Sequence, residues 1–172
     1  NMIKILLLLI SLPIFKFWLD LIRNEAVFFP LPKKTIRKIL KAGKVSKRDI
    51  IYDLGCGDGR VLIIAAKEFG ARGVGIEKSW FLSKLAKWNV EKEGLKDKIK
   101  IVNGDFFKMN VSKATVIFVY LSKKLNRMLE RKLKRELRKG TKILSAAHEF
   151  SSFKLKKKIK TGHFYSYIYE FE

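Results

Sequence analysis

Residues Ile50 to Arg60, Ile-Ile-Tyr-Asp-Leu-Gly-Cys-Gly-Asp-Gly-Arg, constrain this chain more than any other stretch. A β-branched apolar run meets an acid, breaks into alternating glycines and resumes as Val61-Leu62-Ile63-Ile64-Ala65-Ala66, which has no breaker until Gly70. The pattern predicts strand, tight loop and helix, the loop turning through φ > 0 so that free N–H groups at the helix start face a ligand. A dinucleotide loop would read G-x-G-x-x-G, whereas Gly55, Gly57 and Gly59 give G-x-G-x-G with Asp53 two residues ahead. A carboxylate there would repel a diphosphate.

It suits a ligand with a cationic amine or sulfonium, and S-adenosylmethionine carries both. Gly73-Val74-Gly75-Ile76-Glu77 reads as a second strand ending in an acid, where a carboxylate can accept from two ribose hydroxyls. A third acid follows in Ile101-Val102-Asn103-Gly104-Asp105-Phe106-Phe107. Asp105 is placed to accept from an adenine amino group, with the phenylalanines covering the ring.

Asp53-Leu-Gly-Cys-Gly-Asp-Gly59, Glu77 and Asp105, in this order, resemble the class I S-adenosylmethionine-dependent methyltransferases. Phe29-Pro30-Leu31-Pro32, Tyr120-Leu121 with Asn126, and Leu133-x-x-Glu136-Leu137-x-x-Gly140-Thr141 followed by Ser145 and His148-Glu149-Phe150 are similar to the small protein-lysine methyltransferases of archaea, bacteria and mitochondria. The likeness implies a Rossmann-like α/β fold, and S-adenosylmethionine as cofactor with S-adenosylhomocysteine as product. It carries donor binding onto Pro30, Pro32, Asp53, Gly55, Cys56, Gly57, Gly59, Glu77, Lys78, Asp105 and Phe106. In that family a Pro-x-Pro element with a central Thr closes over the donor, and Leu31 departs from the pattern.

At 172 residues there is room for one catalytic domain, expected over 28–172, behind a hydrophobic segment over 1–27. Thirty-eight basic residues against sixteen acidic give a formal charge of +22, which implies a negative partner or surface, or a lysine-biased genome. Cys56 is the single cysteine, which excludes an internal disulfide, and between two glycines it reads as a small residue that fits rather than a nucleophile. His148 and His163 are too few and too far apart for zinc, so no metal is expected.

Met2 to Asp20 is the most hydrophobic part of the chain. Its uncharged run, Ile5 to Phe15, is shorter than a spanning helix needs unless Lys4 and Lys16 snorkel. Phe17 and Trp18 are types favoured at a membrane interface, and the run is apolar on all sides. We read residues 2–19 as an anchor rather than a helix packed on the domain, with the basic domain behind it on the cytoplasmic side of a membrane.

Further along, the pattern predicts a helix over 33–41, strands over 50–54, 73–77, 99–102, 114–121 and 141–147, and helices over 60–69, 79–91 and 123–139. Lys154 to Phe171 reads as an antiparallel hairpin at the sheet edge. Together these give a mostly parallel sheet with helices on both faces, closed by that hairpin.

The acceptor belongs at the tip of the fourth strand. Tyr120-Leu121-Ser122 replaces the Asn/Asp-Pro-Pro-Tyr loop with which many base-amino methyltransferases hold a planar nitrogen, which argues against a nucleobase amine, while the family resemblance implies a protein lysine as acceptor. Tyr120 is the candidate to orient the acceptor nitrogen through its hydroxyl or ring face, with His148 and Glu149 bordering the site as acceptor or supporting residues. The basic clusters over 123–139 and 154–160 fit RNA or an anionic membrane equally well and do not decide the substrate. The alternatives are an RNA or small-molecule methyltransferase, or a non-catalytic module that binds the donor.

Overall fold

A computed structural model of the chain describes residues 29–172 together with residues 11, 12 and 15. The expected anchor over 2–19 and the boundary at residue 27 lie almost wholly outside the described residues. Among the described residues no helix is long and apolar enough to cross a membrane.

Seven strands form one sheet: β1 (Ile50–Leu54), β2 (Arg72–Glu77), β3 (Ile99–Asn103), β4 (Val116–Val119), β5 (Lys142–Ala146), β6 (Leu155–Thr161) and β7 (Phe164–Glu170). Their order is β3-β2-β1-β4-β5-β7-β6. β1 to β5 run parallel; β7 inserts antiparallel beside β5, and β6 pairs antiparallel on its far side. The hairpin is thus at the edge, as expected, and its turn lies at the C-terminal ends of the parallel strands. The order reverses between β1 and β4, which opens a crevice above those ends.

The helices within residues 29–172 are α1 (Lys33–Ala42), α2 (Arg60–Phe69), α3 (Trp80–Lys92) and α4 (Lys123–Glu136). Ile36, Ile39 and Leu40 of α1, Leu62 and Ile64 of α2, and Ala86 and Val90 of α3 share one apolar cluster with Ile51, Ile101 and Phe118 of the sheet. Leu129 and Leu133 of α4 bury on the opposite face against Ile117, Val119 and Ile143. Within residues 29–172, helices cover both faces, three on one and one on the other.

Two loops complete the thin face. Residues 104–115 cross from β3 to β4 without a helix, burying Phe106 and Val111. The loop is pinned by Lys132 and Glu136 of α4: Lys132 Nζ donates to Met109 O and to Glu136 Oε1, both at 2.6 Å, while the Val111 N–H donates to Glu136 Oε2 at 2.9 Å. Lys132 is therefore buried with its charge met by a partly exposed carboxylate, and both side chains also bond the loop backbone, which offsets the cost of burying the ammonium. The loop after β5 packs Phe150 against Phe153 and Tyr169, whose hydroxyl receives the Phe150 N–H.

Three elements are shorter than the pattern predicts, β5 by one residue at each end. β4 ends at Val119 because Tyr120 leaves the ladder for an aromatic contact. The helix expected to reach residue 139 stops at Glu136 because Leu137 turns extended (ψ 149°) and buries in the core.

Candidate functional site

The crevice above β1 and β4 gathers the acids anticipated from sequence. Gly55, Gly57 and Gly59 all adopt positive φ (84°, 54° and 81°), and Gly59 starts α2 without a side-chain cap. The loop is tied down by its backbone: the N–H groups of Gly55 and Cys56 donate to Ile76 O at 2.8 and 3.2 Å. Cys56 turns away from the crevice. Its buried thiol packs on Gly75, where an added Cβ would sit 2.6 Å from Sγ, and burial pushes the thiol pKa far up. Only the backbone of Cys56 faces the loop side; the thiol is not a nucleophile at neutral pH.

Asp53 is 3% exposed and its Oδ2 has no hydrogen-bond partner. Burial, then the charges of Glu77 and Asp58, raise its pKa well above the usual carboxylate value. A buried carboxylate oxygen left unsatisfied costs free energy unless something cationic or hydrogen-bonding meets it.

Glu77, 9% exposed at the tip of β2, takes the Gly57 N–H on Oε2 at 2.9 Å and the Ser79 N–H on Oε1 at 2.8 Å. Each oxygen keeps a second acceptor site, enough for a diol. Asp105, half-buried beyond β3, accepts from the Phe107 N–H at 2.9 Å; Phe106 is buried behind it with ring centroids 4.6 Å from Phe107. Lys78 is exposed beside Glu77.

Pro30 and Pro32 are exposed while Leu31 between them is buried in the core, so the departure from a central Thr replaces a polar contact with packing. Sequence reasoning missed how this segment is held. Arg60 chelates Asp58 (Nε to both carboxylate oxygens at 3.0 Å, Nη2 to Oδ2 at 2.6 Å), and its Nη1 donates to Leu31 O at 3.2 Å. One guanidinium thus joins the Pro-x-Pro segment to the glycine loop. Asn89 Nδ2 of α3 donates to Asp58 O and holds the glycine loop, while Asn103 Nδ2 donates to the carbonyls of Glu77 and Lys78 and fixes the β2 tip. The sequence signal was an Arg closing the glycine loop and an Asn ending the neighbouring strand.

On the other side of the crevice Tyr120, 37% exposed, stacks on Phe164 of β7, centroids 6.0 Å and planes 18° apart. Its hydroxyl has no hydrogen-bond partner among the described residues. His148 and Glu149 expose their side chains; what the fold uses is the His148 main chain. Asn126 Nδ2 donates to His148 O (3.1 Å) and Ser145 Oγ (3.2 Å), and Ser145 Oγ donates to His148 O. Ala147 has φ 68°, with the His148 N–H donating to Ala146 O, a strained γ-turn. Asn126 is fully buried and its Oδ1 is unpartnered.

Residues 53–157 match the profile of the ANTKMT methyltransferase domain. The chain is 42% identical over 134 residues to a protein-lysine N-methyltransferase of Saccharolobus islandicus (strain REY15A), covering 77% of this chain and 83% of that one. It is 28% identical over 123 residues to an ATP synthase lysine N-methyltransferase of Homo sapiens, 72% of this chain and 52% of that one. The chain spans about half the length of the vertebrate relatives it matches. Among solved structures it resembles one described as an RNA methyltransferase from Salinibacter ruber in complex with S-adenosyl-L-homocysteine, at TM-score 0.80 and 34% identity, covering 83% of this chain and 93% of that one.

Proposed function

The chain belongs to the ANTKMT methyltransferase domain family, and from that premise we propose that it transfers a methyl group from S-adenosylmethionine to the ε-amine of protein lysines. Residues 28–172 are the catalytic domain in this reading.

The observation that carries the donor assignment is Asp53. Its orphaned, buried oxygen asks for a cation, and the donor brings an ammonium and a sulfonium. The fit extends to Glu77 for the ribose hydroxyls, Asp105 for the adenine amine, and the glycine loop, whose backbone offers no Cβ to collide. When bound, the donor supplies an activated methyl group on sulfur. The chain's residues bind, orient and exclude water. An acceptor lysine must arrive neutral, which from its ordinary pKa costs roughly 4.6 kcal/mol at pH 7 (about 3.4 units at 1.36 kcal/mol each). A dry, positively charged mouth lowers that cost. The Tyr120 ring wall and the loop held by Asn126 and Ser145 stand where the amine would enter.

Two observations support lysine as the acceptor: the 42%-identical relative that carries this activity in its name, and the Tyr120-Leu121-Ser122 tip in place of an amine-clamping Asn/Asp-Pro-Pro-Tyr loop. The description of the 34%-identical structure favours RNA as the second reading. Incubating the protein with labelled donor and cell extract separates them: label released by protease supports the lysine reading, and label released only by nuclease overturns it.

We further propose that the enzyme works at the cytoplasmic face of a membrane, held by residues 2–19. Support comes from the uncharged run over 5–15 and from Trp80, Phe81 and Trp88 on α3, each more than half exposed, with Lys84 and Lys92 over the two indoles at 5.6 and 5.0 Å. Flotation with anionic vesicles tests it; a chain that stays in the bottom fraction would refute membrane attachment.

A further inference from the structure

We infer that the acceptor mouth selects lysines set in acidic polypeptide segments; this rests on the protein-lysine reading above and adds the sequence context of the target.

The mouth has an aromatic side and a cationic rim. Tyr120 at the β4 tip and Phe164 at the hairpin turn make a stacked pair. A lysine stem packs well along such ring surface while its nitrogen goes deeper.

The rim comes from two elements. Lys123 and Lys124 form the first turn of α4 and Arg127 the next, all exposed; Lys160 and His163 flank the hairpin turn, also exposed. α4 has no acid in its first turn, where the helix macrodipole favours anions, so both lysines sit where a helix disfavours cations and add to its positive end.

Many acids elsewhere are spent on partners away from this mouth, among them Glu68 on Arg37, Glu93 on Lys67, Glu136 on Lys132, and Glu172 on Lys154 and Lys156. Lys123, Lys124, Arg127 and Lys160 have no ion-pair partner among the described residues. Glu149 is the exposed acid on the β5 side of the mouth. With the chain at +22 overall, a basic target segment is repelled before its lysine reaches the crevice, whereas carboxylates on either side of that lysine find complementary charge.

RNA is also an anion, but the Tyr120 and Phe164 rings are engaged with each other rather than splayed for base stacking, so the polypeptide is the better fit.

The test uses the full chain, labelled S-adenosylmethionine and three peptides of about fifteen residues, each with one lysine flanked by Glu, Ser or Arg. Expected is kcat/KM in the order Glu, Ser, Arg, with about tenfold between the first two at low salt and near equality at about 0.5 M salt. Charge reversal by Lys123→Glu with Lys124→Glu, at exposed positions the core does not use, inverts the order. Phe164→Ala raises KM for all three without changing their rank. Equal kcat/KM for the three peptides, or a rank that charge reversal leaves untouched, overturns the inference while leaving lysine methylation standing. Label that enters an added RNA transcript and none of the peptides overturns the lysine reading itself.

Discussion

Asp49 and Asp53 stand four residues apart along the same central strand segment, 6% and 3% exposed, and the fold treats them in opposite ways. Asp49, just ahead of β1, is saturated: it accepts from Thr115 Oγ1 at 2.9 Å, the Ser46 N–H at 2.8 Å and Lys142 Nζ at 3.2 Å. Burial alone would raise its pKa, but the Thr115 and Ser46 hydrogen bonds and the Lys142 charge hold it below the usual carboxylate value. Asp53 has a free oxygen and acids for neighbours. The same side chain with nearly the same burial is a cross-link at one end of the sheet and an unmet demand at the other. Where a fold leaves a buried acid unsatisfied beside a loop of positive-φ glycines, it has given up stability to bind something.

Substitution should separate the two ends cleanly. Asp53→Asn is expected to weaken donor binding at least about 100-fold, since a charge-paired hydrogen bond and its long-range attraction both go. The same change should raise the melting temperature of the ligand-free protein, at roughly 2–4 °C per kcal/mol for this size. Asp49→Ala should do the reverse. Leaving Thr115, Ser46 and Lys142 without their acceptor costs about 1.5–3 kcal/mol, with donor affinity within about twofold because distant sites act independently. Calorimetric titration and thermal melts of both variants read all four values. A fall in melting temperature for Asp53→Asn would mean that its orphaned oxygen is not a source of strain.

The pH dependence sharpens the contrast. Asp53 in the empty protein binds its proton more tightly than in the unfolded chain, so its ionisation destabilises the fold as pH rises from the unfolded value toward the raised one. Asp49 binds its proton less tightly, so its contribution is present above the unfolded pKa and is lost as pH falls through the folded one. A cationic donor holds Asp53 ionised; its affinity should therefore drop on acidification and its binding should release a proton. Titration in two buffers of different ionisation enthalpy measures that proton. Affinity that is flat with pH in wild type, or still pH-dependent in Asp53→Asn, would assign the effect to another group.

The acceptor side offers a smaller break. Asn126→Ala removes the two donations that hold Ser145 and the His148 carbonyl behind the strained Ala147 turn. Because Asn126 is a positioning residue, its loss should lower kcat about tenfold with the donor dissociation constant unchanged. Donor affinity falling in step with kcat would show that the halves of the crevice are coupled.

How much of this could be read beforehand divides along the same line. The positive-φ turn at Gly55, Gly57 and Gly59 and the positions of Glu77 and Asp105 at the strand ends were legible because φ > 0 without a side chain, and an acid after a buried run, each have few physical reasons to occur. The five parallel strands and the terminal hairpin were legible from their apolar runs and alternation. What stayed hidden depends on where side chains meet across long separations. Arg60 reaches Leu31 O from 29 positions away, and Lys132 with Glu136 stands in for a helix that the β3–β4 crossover lacks. The thiol of Cys56 points at Gly75 rather than into the crevice because β2 leaves room for it. His148 matters to the fold through its carbonyl, which any residue possesses and which a sequence therefore does not flag.

The smallest expected effect concerns Tyr120, for which the sequence left open whether the hydroxyl or the ring face would meet the acceptor. The ring is within stacking distance of Phe164 and nearly parallel to it, while the hydroxyl bonds to nothing among the described residues. Deleting the hydroxyl removes no observed hydrogen bond, so Tyr120→Phe should keep kcat/KM within about threefold of wild type. Tyr120→Ala removes one wall of the acceptor mouth and an aromatic pair of about 0.5–1.5 kcal/mol, and should raise KM for a lysine peptide by about tenfold. The two variants measured on one peptide decide the point: a large kcat loss in Tyr120→Phe, with KM unchanged, would make the hydroxyl a group that meets the reacting nitrogen and would move catalysis from the shape of the mouth to a single polar contact.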